Sequence, residues 1–235
     1  MTVVKNDLFD YTNRYIYQDS DCFKFSIDSI LLAEYVTIKN DNEILVDMCC
    51  GNMAIPLIIS KYTRAKITGF EIQKEVYNLG KDSIDLNGLN NQLSIINDDV
   101  NNIGNYYEAE SIDTMICNPP FFKVNETSLV NEKESLKIAR HELKLTLENV
   151  FQLAHKYLIN KGCLYIIQRT ERLDEIIALG YKYHTNIKEI VPICTKRGND
   201  PYMVLIKAIK NSKPGTKLKK DIIVENLTSY QHLFK

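Results

Sequence analysis

No stretch of the chain contains the ~20 consecutive apolar residues that a membrane span requires. The start, MTVVKNDLFDYTNRY, is polar and aromatic, not a charged head followed by an apolar segment. A cytoplasmic protein is expected. No C-x-x-C pair occurs among the six cysteines (Cys22, Cys49, Cys50, Cys117, Cys163, Cys194), and most of them sit in apolar runs. That pattern argues against a zinc site and against a secreted disulfide framework; reduced thiols and no metal are expected. Charge of one sign is also lacking. The balance is −1, from 29 basic and 30 acidic residues, so net charge alone does not point to a nucleic-acid partner. There is no internal repeat and no low-complexity block. A three-glycine dinucleotide fingerprint is missing too, which makes NAD or FAD a poor fit.

What remains is ordinary globular composition, 45% hydrophobic and 25% charged over 235 residues, enough for one complete core. Strand-like and helix-like segments alternate. Glu43–Met48, Ala65–Glu71, Leu93–Asn97, Ser111–Cys117, Gly162–Gln168 and Met203–Ile209 read as strands. Ala54–Tyr62, Lys74–Leu86, Leu143–Leu158 and Glu171–Leu179 read as helices. The alternation predicts an α/β fold with βαβ units, a parallel sheet and helices on both faces. Ligands of such sheets bind beyond the strand C-termini, so the informative residues should stand at strand ends.

They do. The first strand runs into Asp47-Met-Cys-Cys-Gly51, whose single glycine lets a ligand approach the backbone where the next helix begins. Glu71 ends the second strand, where a carboxylate can accept both hydrogens of a ribose diol. Asp99 follows the third strand and can accept from an adenine amine. Acids at strand ends also cap the following helix, and that reading stays open for each of them. The fourth strand ends in Cys117-Asn118-Pro119-Pro120-Phe121-Phe122. The two prolines stop the strand rigidly and fix where the preceding carbonyls point. A turn explains the prolines but not an amide before them and an aromatic after them. Cys117 reads as a strand residue, since reactive thiols need an exposed, electropositive setting.

Asn118-Pro-Pro-Phe121 resembles the N-P-P-[YF] signature of class I S-adenosylmethionine methyltransferases that modify planar amino groups. A wider resemblance, to the bacterial tRNA(Val) adenine N6-methyltransferase family, rests on five segments. They are Phe25-Ser-Ile-Asp-Ser-Ile-Leu-Leu-Ala33, Cys49-Cys-Gly-Asn-Met-Ala-Ile-Pro56, Asn118-Pro-Pro-Phe-Phe-Lys-Val124, Ile138-Ala-Arg-His-Glu142 and Met203-Val-Leu-Ile206. The departure from that family is Met53, where a second glycine is usual. Phe121 stands where many relatives have Tyr. The resemblance implies a Rossmann-like, seven-stranded, mostly parallel sheet in a single domain. Residues 1–42 would form an extension with a cofactor-side helix, 43–181 the cofactor-binding core, and 182–235 a basic C-terminal part of the sheet and tail. S-adenosylmethionine is the implied cofactor. Phe25, Cys49, Ile72 and Asn118 join Asp47, Gly51, Glu71 and Asp99 as its implied contacts.

The implied chemistry is methylation of an adenine N6 amine. That nitrogen is a poor nucleophile because its lone pair is delocalised into the ring. Acceptors at the Asn118 side chain and the Pro119 carbonyl, directed by Pro120, would favour a pyramidal nitrogen. Phe121 would stack on the base. His141 invites a general-base reading, but capping or phosphate contact is favoured. Lys123, Arg140, Lys196 and Arg197 are candidate phosphate ligands, with Lys196-Arg197-Gly198 a basic turn. Residues 182–235 hold eleven Lys/Arg and four Asp/Glu, and six of the lysines lie between Lys207 and Lys220. A polyanion-facing surface and a solvated lysine-rich tail both fit that block.

The substrate expected is an anticodon-loop adenine, adenine-37 of tRNA(Val), and the enzyme is expected to be a monomer. Other readings are a release-factor glutamine methyltransferase, a ribosomal RNA adenine or guanine methyltransferase and a DNA adenine methyltransferase. The first would need a helical domain ahead of the sheet. The guanine enzymes carry N-P-P-F-H, and Phe122 stands in place of that histidine. The DNA enzyme would need a target-recognition segment. A non-catalytic RNA-binding module would explain the lysines but not the joined motifs.

Overall fold

The computed structural model describes residues 3–8, 12–19, 27–119 and 145–227. Its centre is a sheet of nine strands with a reversal in direction at one side. The strands are β3 (Ile44–Asp47), β4 (Lys66–Phe70), β5 (Leu93–Ile96), β6 (Ile112–Cys117), β7 (Leu158–Arg169), β8 (Thr185–Cys194), β9 (Met203–Lys210), β10 (Lys217–Leu218) and β11 (Ile222–Ile223). They lie in the order β10-β8-β9-β7-β6-β3-β4-β5, with β11 also on β8. The ladders from β5 through β4, β3 and β6 to β7 are all parallel. β9 is antiparallel to both β7 and β8. β8 therefore runs the same way as β7, and its C-terminal end returns to the edge where β3, β4 and β6 end.

The helices are α1 (Ile27–Tyr35), α2 (Ala54–Ile59), α3 (Lys74–Leu86), α4 (Leu147–Tyr157) and α5 (Leu173–Lys182). Two apolar clusters lie on opposite faces of the sheet. One gathers α1 and α2 side chains such as Leu31, Leu57 and Ile58; the other gathers Val150 and Phe151 of α4 and Ile176 of α5. β7 shows why: Tyr165 and Ile167 join the first cluster, while Leu164 and Ile166 join the second. A strand buried on both faces gives the unbroken apolar run that made it visible in sequence.

Several boundaries move. The helix expected from Leu143 starts at Leu147, because Thr146 and Asn149 close a reciprocal capping box ahead of it. β7 begins four residues before Gly162, directly where α4 ends. The helix expected at Glu171–Leu179 is instead a 3-10 turn (Thr170–Arg172) followed by α5. The sheet has its seven long strands and two further two-residue strands, β10 and β11, paired with β8. β8 itself was not read as a strand, because Lys188, Glu189 and Pro192 interrupt its apolar run. Pro192 falls between the residues that pair with β10 and those that pair with β11.

Within residues 1–42, the expected helix is α1. A separate hairpin, β1 (Val3–Asp7) and β2 (Tyr15–Asp19), was not anticipated. It is pinned to α3 by the Tyr17 amide on Ser83 Oγ (2.9 Å) and the Tyr15 amide on Asn87 Oδ1 (2.9 Å). Among the described residues no helix is long and apolar enough to cross a membrane.

Candidate active site

The end of β3 turns sharply. Gly51 has φ of 55°, and a Cβ placed there would meet nothing within 4 Å. The backbone is thus left-handed and open to an approaching ligand, as a single glycine at this point allows. Met53, the N-cap of α2, also stands in the left-handed region, with φ of 73°. This is the position where the resembled family has its second glycine, and methionine here adopts a left-handed conformation costing of order 1–2 kcal/mol. Its side chain is fully buried and fills the room beneath Gly69, whose Cβ would come within 2.6 Å of Met53 Sδ. Asn52 fastens the turn to the hairpin, donating from Nδ2 to the Tyr17 carbonyl at 2.9 Å.

Two acids are buried beside this turn. Asp47 is fully buried; its Oδ1 accepts from the Cys49 amide at 3.3 Å, and its Oδ2 has no partner among the described residues. Burial, reinforced by the charge of Glu71 and opposed by the Cys49 amide, pushes the Asp47 pKa up to about 7. Glu71 is 6% exposed and takes the Gln73 amide at 2.8 Å. Burial raises its pKa, while amides of Gln73 and Gly51 hold the rise back. The Glu71 and Ile72 carbonyls accept from Asn97 Nδ2 at 2.9 and 3.3 Å, which ties the end of β5 to the end of β4. Asp99 is engaged: its Oδ1 accepts from the Asn101 amide (2.9 Å) and from Asn101 Nδ2 (2.8 Å), capping the turn Val100–Asn105. The capping role left open for strand-end acids is therefore the one seen for this oxygen.

Asn118 follows β6 directly. Its Nδ2 donates to Ser29 Oγ of α1 at 3.1 Å, while its buried Oδ1 has no partner among the described residues. Cys49 Sγ touches Cys117 Sγ at 3.6 Å. That contact, with burial, raises the Cys49 pKa well above its ordinary value, so Cys49 is a neutral thiol at physiological pH and not a nucleophile. Cys117 is the last, fully buried residue of β6, as read from sequence. All five cysteines of the described residues are free.

Six buried side-chain polar atoms lack a hydrogen-bond partner among the described residues, and three of them, on Asp47, Asn118 and Gln168, stand at the ends of β3, β6 and β7. Buried polar groups are nearly always satisfied in a finished fold, so this edge is the candidate site for a ligand. Asp47, Gly51, Glu71, Ile72, Cys49 and Asn118 are brought together on that edge, and Pro119 is buried next to Asn118. Pro120, Phe121, Lys123, Arg140, His141 and Phe25 lie outside the described residues. Lys196 and Arg197 are exposed on the turn after β8, where Gly198 takes φ of 87°. β8 lies three places from β6 in the sheet, so this turn stands about 14 Å along the same edge, at the usual strand spacing.

Not every lysine after Lys207 faces water. Lys210 is 3% exposed and bonds Glu110 Oε1 (2.8 Å) and the Leu158 carbonyl (2.7 Å), and Lys207 lies over the Tyr165 ring at 5.4 Å. Sequence reasoning missed Ser29 and Gln168. Ser29 was contained in the family-like segment 25–33, and Gln168 was read only as the end of an apolar strand. Among the described residues no three His, Cys, Asp or Glu side chains gather to hold a metal ion.

Residues 24–188 match the family described as "Methyltransferase small domain". The tRNA1(Val) (adenine(37)-N6)-methyltransferase of Bacteroides thetaiotaomicron is 23% identical over 203 residues, spanning 86% of this chain and 83% of the relative. The protein of the same name from Tolumonas auensis is 24% identical over 84% of this chain and 81% of its own. Among solved structures, a predicted O-methyltransferase from Agrobacterium tumefaciens superposes with a TM-score of 0.67 at 20% identity, covering 86% of this chain and 90% of that one. M. jannaschii TYW2 in complex with AdoMet gives 0.56 at 17% identity, over 88% and 85%. These structures share the fold.

Proposed function

The chain belongs to the methyltransferase small domain family, and from that premise we propose that it transfers the methyl group of S-adenosylmethionine to the N6 amine of an adenine in a tRNA anticodon loop, adenine 37 of a valine tRNA. The observation that carries this reading is the Asn118 carboxamide oxygen, buried and unpartnered at the end of β6. The names of the relatives point to the tRNA and the position.

The residues present fit the cofactor. The open, left-handed Gly51 gives room for a ligand against the backbone, and the unpartnered Asp47 oxygen invites a cationic or N–H group. Glu71 at the end of β4 suits a ribose diol, and Asp99 would reach an adenine amine with the oxygen that does not cap. S-adenosylmethionine, when bound, supplies an electrophilic methyl on a sulfonium.

The chain's own part is to bind, orient and exclude water. Asn118 Oδ1 and the Pro119 carbonyl would take the two N6 hydrogens, drawing the nitrogen toward a pyramidal shape whose lone pair is free. Phe121 would hold the base by stacking, worth about 1–3 kcal/mol. Alignment and fixed dipoles then supply most of the acceleration. An adenine must leave its stack to reach such a pocket, and a loop nucleotide does so at lower cost than a paired one. The Lys196–Arg197 turn on the same edge would hold the neighbouring phosphates.

Incubation with methyl-labelled S-adenosylmethionine and, separately, tRNA, ribosomal RNA and a release factor tests the reading. Nucleoside mass spectrometry should find N6-methyladenosine in valine tRNA. Label appearing in ribosomal RNA or on a release-factor glutamine instead would overturn the substrate and leave methyl transfer standing.

A further inference from the structure

We propose that Ser29 is a positioning residue that sets the orientation of the Asn118 carboxamide; this rests on the reading of Asn118 Oδ1 as an acceptor for the substrate amine. A carboxamide has two ends of nearly equal size, and only one of them can accept a hydrogen bond. If the amide turned over, two N–H donors would face the donor hydrogens of the adenine amine. The identity of the group holding the outer end therefore decides whether the inner end can work.

Ser29 holds that end. It lies in the first turn of α1, 6% exposed, and its Oγ accepts from Asn118 Nδ2 at 3.1 Å. The Asn118 backbone is fixed independently, as the residue that directly follows β6. With the backbone held, the side-chain amide has one remaining freedom, and Ser29 is its hydrogen-bond partner among the described residues. A serine hydroxyl can also donate, but the turned-over amide would then bury an orphaned N–H, which folded proteins avoid more strictly than an under-used carbonyl. The observed arrangement leaves the carbonyl oxygen buried and unpartnered among the described residues. Ser29 and Asn118 are 89 residues apart in sequence, so this contact joins α1 to the end of β6.

The test is kinetic. Ser29→Ala, assayed with S-adenosylmethionine and valine tRNA, should lower kcat about tenfold, the scale of one lost hydrogen bond that matters in the transition state. The cofactor Kd by calorimetry, the tRNA KM and the thermal midpoint should stay near those of the parent. Ser29→Thr, which keeps the hydroxyl, should recover most of kcat. An unchanged kcat in Ser29→Ala would overturn the proposal. So would a loss of cofactor affinity or thermal stability in step with kcat, which would assign Ser29 to the packing of α1. Should Asn118→Ala keep its turnover, the acceptor reading itself fails, whatever Ser29→Ala does.

Discussion

The ends of β3, β4 and β6 carry Asp47, Glu71 and Asn118, of which Asp47 Oδ2 and Asn118 Oδ1 are buried and unpartnered among the described residues, whereas the β8 flank of the same sheet carries its charges in water. There Lys219 lies 3.5 Å from Glu189 and Lys196 3.8 Å from Glu225, on side chains that remain substantially exposed. The first region keeps polar groups where the dielectric is low and partners are few, so each one matters strongly to whatever binds. The second spreads weak, screened interactions over many residues, and loss of any one costs little. On the proposed function, the chemistry falls to the first region and attachment to the tRNA backbone to the second.

The sharpest break between them is Asn118→Ala. The acceptor is used fully only as the amine nitrogen becomes pyramidal, so the loss falls on the transition state. A decrease in kcat of about 10²–10³, the range for removing one preorganised polar group, is expected, with the cofactor Kd little changed. Single-turnover transfer and calorimetry on the same preparation measure both. A near-parental kcat would remove the β6 end from the chemistry.

Glu71→Ala should act on the cofactor instead. A buried, charge-assisted hydrogen bond contributes roughly 1.5–3 kcal/mol, so affinity for S-adenosylmethionine should drop by one to two orders of magnitude. Unchanged binding by calorimetry would remove Glu71 from the ribose.

Asp47 couples the site to stability. Its pKa in the fold is about 7, above the ~3.9 of an unfolded aspartate. A raised carboxyl pKa means that the folded chain holds the proton longer. The contribution is complete below about pH 4 and is lost as pH rises through 7. The free protein should therefore become less stable between pH 4 and pH 7, by a few kcal/mol at most, with Glu71 acting in the same sense. Asp47→Asn should flatten that decline and stabilise the free chain by about 1–2 kcal/mol at pH 7.5, measured by urea unfolding. It should also weaken the cofactor, whose affinity for the parent should rise about tenfold from pH 6 to pH 7.5 as Asp47 ionises. A variant no more stable than its parent would mean that Asp47 is already compensated in the free protein.

The same contrast governs how much could be read in advance. β3, β4, β6 and β7 are legible because each is a short apolar run buried on both faces, and Asp47, Glu71 and Asn118 because they end such runs. β8 escaped because Lys188, Glu189 and Pro192 break up its apolar run, and the β1–β2 hairpin because each of its strands is only five residues long. Ser29 could not be assigned, since its role exists only when α1 meets the end of β6. For Asp99 the sequence leaves both a ligand and a capping use open, and the structure shows its Oδ1 capping a turn; sequence spacing does not separate those uses of an acid.

The mildest test divides the basic flank itself. Lys196 and Arg197 lie beyond the C-terminal end of β8, on the edge that carries Asn118, while Lys217 pairs with Glu189 midway along β8. A tRNA whose loop enters the β6 site should meet Lys196 and Arg197 first. Binding that releases counterions gives a line of log affinity against log salt, its slope diminished by about 0.7–0.9 for each phosphate contact removed. Lys196→Gln with Arg197→Gln should reduce the slope by close to that amount per residue. Neutralising Lys213, Lys217, Lys219 and Lys220 together should reduce it by less per residue, because the group stands farther from the edge, whereas ion pairing touches both sets alike, with Lys219 near Glu189 and Lys196 near Glu225. Neither change should alter kcat at saturating tRNA, since these charges act before the base reaches Asn118. Equal reductions per residue would extend the tRNA path across β10, and no reduction from either set would leave the lysines as a solvated face with no part in attachment.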